Sequence, residues 1–243
     1  MIIGISGKIN SGKDTTGRLL LKNISEDVFN ITKQWDSELF ISNYEQFEWI
    51  LAEKTRDWKF KKFAFKLKMF AGLIIGKDVE MFEDRDFKKS TLPAMWDKKM
   101  TVRDEFNTPI LKEEQMTVRD LLIALGDGCR RMVHPNIWIN ALCADYIIEN
   151  NPKWIVNDLR YKNEAVALKK LAEEHNDQCF LIRINSDRAQ IINNDSETDL
   201  DDYTDFDFYI TNNKDTTVTD LEAQIRAILI KIQWAKVKEQ IKK

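Results

Sequence analysis

The sequence predicts an α/β fold of three layers, a mostly parallel sheet of about five strands covered by helices, with an added helical cover or lid segment. Two patterns carry that expectation: short apolar, β-branched runs recur along the chain, and segments of helical period separate them. The third support is length. At 243 residues, one such domain can bury most of its apolar surface without disulfide or metal staples, so residues 1–243 are expected to form a single domain.

Residues 1–6 are a β-branched apolar run that stops at a glycine-containing loop, and from Lys13 the spacing turns helical, with Leu19, Leu20 and Leu21. Residues 24–58 are aromatic-rich and weakly periodic, which predicts only a partly helical excursion before a strand at Lys61 to Phe65. A helix is expected from Leu67 to Ile75, ended by Gly76. Residues 77–115 mix charges with Pro93 and Pro109 and are expected to form a cover segment. Thr117 is placed to cap a helix through Leu125, and Pro135 to open another carrying Trp138, Ala141, Leu142, Asp145 and Tyr146. Lys153 to Val156 reads as a buried strand ending at Asp158, Glu164 to Glu174 as a helix, Cys179 to Ile184 and Phe206 to Ile210 as strands, and the C-terminus as a helix. In such a sheet the ligand crevice lies beyond the carboxyl ends of the strands. MTVRD occurs at 100–104 and again at 116–120 with unmatched flanks, a coincidence or a local duplication rather than a solenoid repeat.

Composition narrows the function classes. Thirty-seven Lys+Arg against 40 Asp+Glu give a formal net charge of -3, so no global positive field draws the chain onto nucleic acid or an anionic membrane. Its three cysteines, at 129, 143 and 179, show no disulfide or zinc spacing and read as reduced thiols. The start, MIIGISGK, is too short in its apolar stretch for a signal peptide, and no run of about 18 apolar residues occurs, so a cytoplasmic location is expected.

The segment Gly7-Lys8-Ile9-Asn10-Ser11-Gly12-Lys13-Asp14 matches the phosphate-binding pattern G-x-x-x-x-G-K-[ST] except that Asp14 replaces the hydroxyl. A strand precedes it and a helix follows, so backbone N–H groups and the helix N-terminus would enclose a polyphosphate while Lys13 reaches its outer oxygens. A carboxylate at position 14 binds Mg²⁺ directly or through water but also repels phosphate, so metal and cations are needed nearby. Thr15 is either a substitute hydroxyl or an ordinary N-terminal helix threonine.

Phosphoryl transfer needs cations that neutralise two anionic groups in line. Arg119, Arg130 and Arg131 fall in the Thr117 helix and its continuation, and Arg160 lies two residues past Asp158 at a strand end. Each is either a solvated charge or part of a site. Asp158 is either an Mg²⁺ or acceptor ligand or a helix cap, and Trp138 either stacks on a base or belongs to the core.

Across nearly the whole chain these motifs resemble the phage-type deoxynucleoside monophosphate kinase family. SGKINSGKDTT is similar to its SGxxxSGKDTT loop, aspartate included, and KFAFKLK to its strand-and-lysine segment. TVRDLLIALGDGCRR resembles its T-x-R-x-L-[LM]-Q-x-L-G-T-[DE] helix, IWINALCADYI its tryptophan helix, and IVNDLRYKNEA its D-x-R-x-x-x-E element. DSETDL resembles its [ST]-E element and FDFYITNNKDT its last strand. The resemblance implies a P-loop kinase fold and transfer of the ATP γ-phosphate to a deoxynucleoside monophosphate, with Mg²⁺. ATP would be held by Gly7, Asn10, Ser11, Gly12, Lys13, Asp14, Thr15, Gly126 and Asp127, with Mg²⁺ on Asp14. The acceptor would be held by Lys68, Arg119, Arg131, Trp138 and Asp158. Transfer would rest on Lys13, Arg119, Asp158 and Arg160, with Glu164 and Glu197 as supports. It further implies a homodimer in the cytoplasm, the host's if the chain is phage-encoded, with residues 185–204 as a lid.

The chain departs from that pattern at Asp127 and Gly128 in the G-T-[DE] junction, at Asn185 after the fourth strand, where Arg183 and Arg188 are close in sequence, and at Asn194 before the [ST]-E pair. Two other readings share the loop: a kinase for a different phosphorylated acceptor of the phosphomevalonate kind, and a nucleotide-binding protein without turnover.

Overall fold

Six consecutive buried residues at the amino end, Ile2 to Gly7, mark a strand covered on both faces, and this strand is the centre of the fold. The computed structural model describes residues 1–29, 36–54, 58–103, 105–150, 152–189 and 195–241. In chain order the elements are β1 (Ile2–Gly7), α1 (Lys13–Phe29), α2 (Ser37–Ser42), α3 (Tyr44–Lys54), β2 (Trp58–Lys61), α4 (Phe63–Ile75), α5 (Arg85–Lys89), β3 (Lys98–Arg103), β4 (Pro109–Glu114), α6 (Val118–Met132), α7 (Ile137–Ile148), β5 (Lys153–Leu159), α8 (Lys162–Glu174), β6 (Cys179–Asn185), α9 (Asp195–Thr198), β7 (Phe208–Thr211) and α10 (Val218–Ile241). Among the described residues no helix is long and apolar enough to cross a membrane.

The chain divides into two compact units, Met1–Lys62 with Leu142–Lys243, and Phe63–Ala141. The first unit holds a five-stranded sheet in the order β2-β5-β1-β6-β7, every pair parallel. Helices flank it on both faces: a side chain at Gly4 would meet Leu168 of α8, whereas Ile5, the next residue, lies against Gly17 of α1. The core on the α1 side joins Ile3 and Ile5 to Leu19, Leu20, Ile155, Ile182 and Ile210, and α10 adds Leu221, Ile225 and Ile228. This is the α/β architecture expected, with the sheet wholly parallel.

A buried polar cluster crosses this helical layer. Lys22 of α1 is 1% exposed, and its ammonium donates to Glu222 of α10 at 2.9 Å. Ser37, opening α2, donates its hydroxyl to the other Glu222 oxygen.

The second unit is built on α4 and α6, with Ala71, Phe82, Leu92, Val118 and Leu121 as its buried cluster. Thr117 caps α6 as expected, and Asp120 closes a capping box by accepting from the Thr117 backbone at 2.9 Å. The α6 helix continues past Leu125 to Met132. Within the expected cover segment, β3 and β4 pair as an antiparallel hairpin, from Lys98 opposite Glu114 to Arg103 opposite Pro109. Its strands alternate too little to be read from sequence. The two MTVRD copies take different structures. Residues 100–103 lie in β3, Asp104 lies outside the described residues, and the second copy opens α6.

Several boundaries need correction. The strand expected at Lys61 to Phe65 runs instead over β2, and α4 begins at Phe63, where Phe63, Leu67 and Ala71 recur every fourth residue. The FAF alternation that suggested a strand is the first turn of that helix. β5 runs through Asp158 to Leu159 rather than ending at Asp158. The excursion over 24–58 is mostly helical, since α1 extends to Phe29 and α2 and α3 follow, with Phe40 packed edge-on to Tyr44 at 5.6 Å. In the expected lid, residues 190–194, Asn194 included, lie outside the described residues.

Removing one partner from a buried ion pair leaves the other charge uncompensated. Glu222 keeps Arg226 of the same helix at 3.2 Å, so Lys22→Met is expected to destabilise the fold by a smaller amount, about 1–3 kcal/mol, read as a lower midpoint of chemical denaturation. An unchanged midpoint would show that Glu222 is solvated or otherwise paired.

Candidate phosphate-binding site

Beyond Gly7 the chain must reverse from a buried strand into α1 within five residues, which forces positive backbone angles: Asn10 has φ 64 and Gly12 φ 93. Asparagine tolerates that region and glycine adopts it without strain. Ser11 N–H donates to the Lys8 carbonyl at 3.1 Å, and Thr16 N–H to the Gly12 carbonyl at 2.9 Å, where α1 takes over. A side chain at Gly12 would fall 2.3 Å from Asn212 Nδ2. That amide, buried just after β7, donates to the Ser11 carbonyl at 2.9 Å and fixes the back of the turn. The first amides of the 17-residue α1 are thus held beyond the strand end, where a helix N-terminus favours an anion.

The side chains around the loop concentrate charge. Lys13 donates from Nζ to the Gly7 and Lys8 carbonyls, the latter at 2.8 Å. Burial, and next the Arg160 guanidinium, lower its pKa to about 8. Arg160 Nη1 donates to Glu197 Oε1 at 2.8 Å, and the Ile9 N–H donates to the other Glu197 oxygen at 2.8 Å. Glu197, 6% exposed, therefore ties the loop to Arg160. Buried Glu164 accepts from the Arg160 and Tyr161 backbone at 2.8 and 3.0 Å and fixes the turn on which Arg160 stands. Arg183 on β6 donates to Ser6 Oγ and to Asp201, each at 2.8 Å, and Lys8 donates to Asp201 at 2.8 Å.

Asp14 is exposed at the first turn of α1, and Asn157 Nδ2 donates to its Oδ1 at 2.8 Å. Asn157 is 6% exposed, and its Oδ1, with Ser11 Oγ and Thr16 Oγ1, is a buried oxygen that has no hydrogen-bond partner among the described residues. Buried polar atoms are rarely left so. Among the described residues no group of three or more His, Cys, Asp or Glu side chains is placed to hold a metal. One carboxylate beside neutral oxygens suits Mg²⁺, which relies on one or two carboxylates plus the phosphates of its substrate. The residues present fit that ion.

The sequence-expected residues thus fall in two sets. Gly7, Asn10, Ser11, Gly12, Lys13, Asp14, Thr15, Asp158 and Arg160 lie in the first unit, where Lys13, Asp14, Arg160 and the loop come together. Asp158 is half-buried on β5, but Asn157 is the residue that touches Asp14. Lys68, Arg119, Gly126, Asp127, Arg131 and Trp138 lie in the second unit. There Lys68 pairs with Glu83 at 2.7 Å, and Arg119, Asp127 and Arg131 are exposed. Trp138 is buried, its indole N–H donating to the Gly126 carbonyl at 3.3 Å. A Cβ on Gly126 would stand 3.3 Å from the Leu67 side chain, so the glycine lets α6 lie close on α4. Sequence reasoning missed Asn157 and Asn212. The only signal was position, one beside Asp158 at a strand end and the other directly after the last strand.

A cavity of about 630 Å³ opens beside the loop in the first unit. Lys8 and Arg183 line it with the aromatic rings of Tyr203, Phe206 and Tyr209.

Above its depressed pKa the free Lys13 amine loses its proton, whereas a bound polyphosphate holds it charged. At about pH 8.5, a polyphosphate bound there, with inorganic tripolyphosphate as the probe, is expected to take up more than about half a proton, measured by calorimetry in buffers of different ionisation enthalpy. Lys13→Met should abolish that uptake. Equal uptake in both proteins would place the titrating group elsewhere.

No protein-family model matches the chain, and no curated protein matches it.

Proposed function

We propose that the chain is a P-loop kinase that transfers the γ-phosphate of ATP to a deoxynucleoside monophosphate, giving ADP and the diphosphate. One observation carries the reading: a protein of net charge -3 gathers Lys13, Arg160 and Arg183 around one glycine turn at a helix N-terminus, where burial first and Arg160 next depress the lysine. Glu197 and Asp201 offset part of this charge, and cations held in a partly buried place favour an anion beside them.

Lys13 and the loop amides bind the β- and γ-phosphates, and the cavity beside Lys8 takes the nucleoside part of ATP, where aromatic faces suit a base. Mg²⁺, when bound, neutralises charge on the phosphate oxygens. The bond from the γ-phosphorus to the ADP oxygen breaks as an oxygen of the acceptor phosphate bonds to that phosphorus, and ADP leaves with the electron pair. Lys13 and Arg160 stabilise the charge spread over the transferred group. The choice of acceptor, and the acceptor-side roles of Lys68, Arg119, Arg131, Trp138 and Asp158, rest on the resemblance to deoxynucleoside monophosphate kinases.

A panel of deoxy- and ribonucleoside monophosphates with ATP and Mg²⁺, followed for diphosphate products, tests the reaction. Product from a deoxynucleoside monophosphate is expected, and its absence across the panel overturns the acceptor assignment. Lys13→Ala should lower turnover at least about 100-fold with the melting temperature kept. In the cavity, Ala189→Trp is expected to weaken ATP binding about tenfold or more while leaving inorganic tripolyphosphate binding unchanged. Equal weakening of both would take the nucleoside out of that cavity.

A further inference from the structure

In the ordinary arrangement of this loop, the residue after the lysine is a neutral hydroxyl and a carboxylate stands at the end of a neighbouring strand, the two sharing one Mg²⁺. This chain carries Asp14 after Lys13. The residue that meets it from the neighbouring strand is Asn157, at 2.8 Å, although an aspartate follows at the very next position.

The sheet explains which of the two faces the loop. Along β1 and β5, Gly4 stands opposite Val156 but Ser6 opposite Leu159, so Asn157 and Asp158 together oppose the single residue Ile5. A bulge of this kind re-aims a side chain, and such irregularities gather beside active sites. Here it delivers a neutral amide to the loop.

We infer that Asp14 and Asn157 are a transposed magnesium-holding pair, with the charge moved from strand to loop and the neutral partner, here an amide, from loop to strand. The pair keeps a single negative charge, as the ordinary one does. Asn157 fixes the Asp14 carboxylate through Nδ2, leaving the second carboxylate oxygen to the ion. Its own Oδ1 is buried and, among the described residues, has no hydrogen-bond partner. Thr16, with its hydroxyl also buried and unpartnered, lies two residues further along α1. This inference rests on the proposed ATP binding and adds to it the division of labour at the ion.

Exchange of the two groups tests it, because Asp and Asn have the same shape. The readout is the ratio of ATP affinities with and without Mg²⁺, by calorimetry, with the line-broadening of Mn²⁺ by paramagnetic resonance as a second measure of the ion itself. Asp14→Asn is expected to reduce the Mg²⁺ advantage about 10- to 100-fold. Asn157→Asp places two carboxylates in contact and is expected to weaken ATP binding most when the ion is absent. The double variant Asp14→Asn with Asn157→Asp should return the ratio to within about threefold of the unsubstituted chain. Should the single Asn157→Asp protein melt below the assay temperature, the unsubstituted chain, Asp14→Asn and the double variant still decide the matter. A double variant no better than Asp14→Asn overturns the transposed pair while leaving ATP binding intact. An unsubstituted chain that binds no ATP overturns the kinase reading and this pair with it.

Discussion

The burial of β1 on both faces is the constraint on which the candidate site depends. Ile2, Ile3 and Ile5 have no exposed surface, β5 and β6 pair with the strand on either side, and α1 and α8 cover it. A one-residue slip of a strand so enclosed would exchange the side chains that pack on α1 with those that pack on α8. Its carboxyl end is therefore fixed, and the turn beyond it inherits that fixity. Buried backbone groups of the turn must also find partners, and Asn212 and Glu197 supply them from distant parts of the chain.

The same partners organise the charge. Glu197 joins a loop amide to Arg160, and Asp201 joins Lys8 to Arg183, so two acidic side chains from the region after β6 tie three cations to the turn. These contacts are only partly buried. They lie where solvent screening is incomplete, which is where ion pairs fix geometry more than they add stability. Position, rather than strength, is what they contribute.

What was legible in the sequence follows the strength of local pattern. The parallel sheet was readable because its strands are apolar runs: Trp154, Ile155 and Val156 in β5, and Leu181 and Ile182 in β6, leave little alternative. The glycine turn was readable because its backbone angles restrict residue type. β2 and the start of α4 were not, because WKFKKFAFK alternates like a strand through both. MTVRD shows the limit sharply: in the second copy Thr117 and Asp120 form a capping box, while in the first Thr101 and Val102 pair across a ladder with Leu111 and Ile110. Propensity is a weak prior and tertiary context decides. Asn157 was hidden for a different reason. Which of two adjacent residues faces the loop depends on a register shift between β1 and β5, a property of two strands about 150 residues apart.

The position of the Lys13 ammonium on its own loop carbonyls has a kinetic and entropic side. A lysine carries about 2 kcal/mol of rotamer entropy when free, and here that freedom is already surrendered before any partner arrives. An anion bound there would exchange one set of oxygens for another instead of recruiting a wandering chain. The arm is thus ordered by the protein's own carbonyls and needs no outside partner to hold it in place.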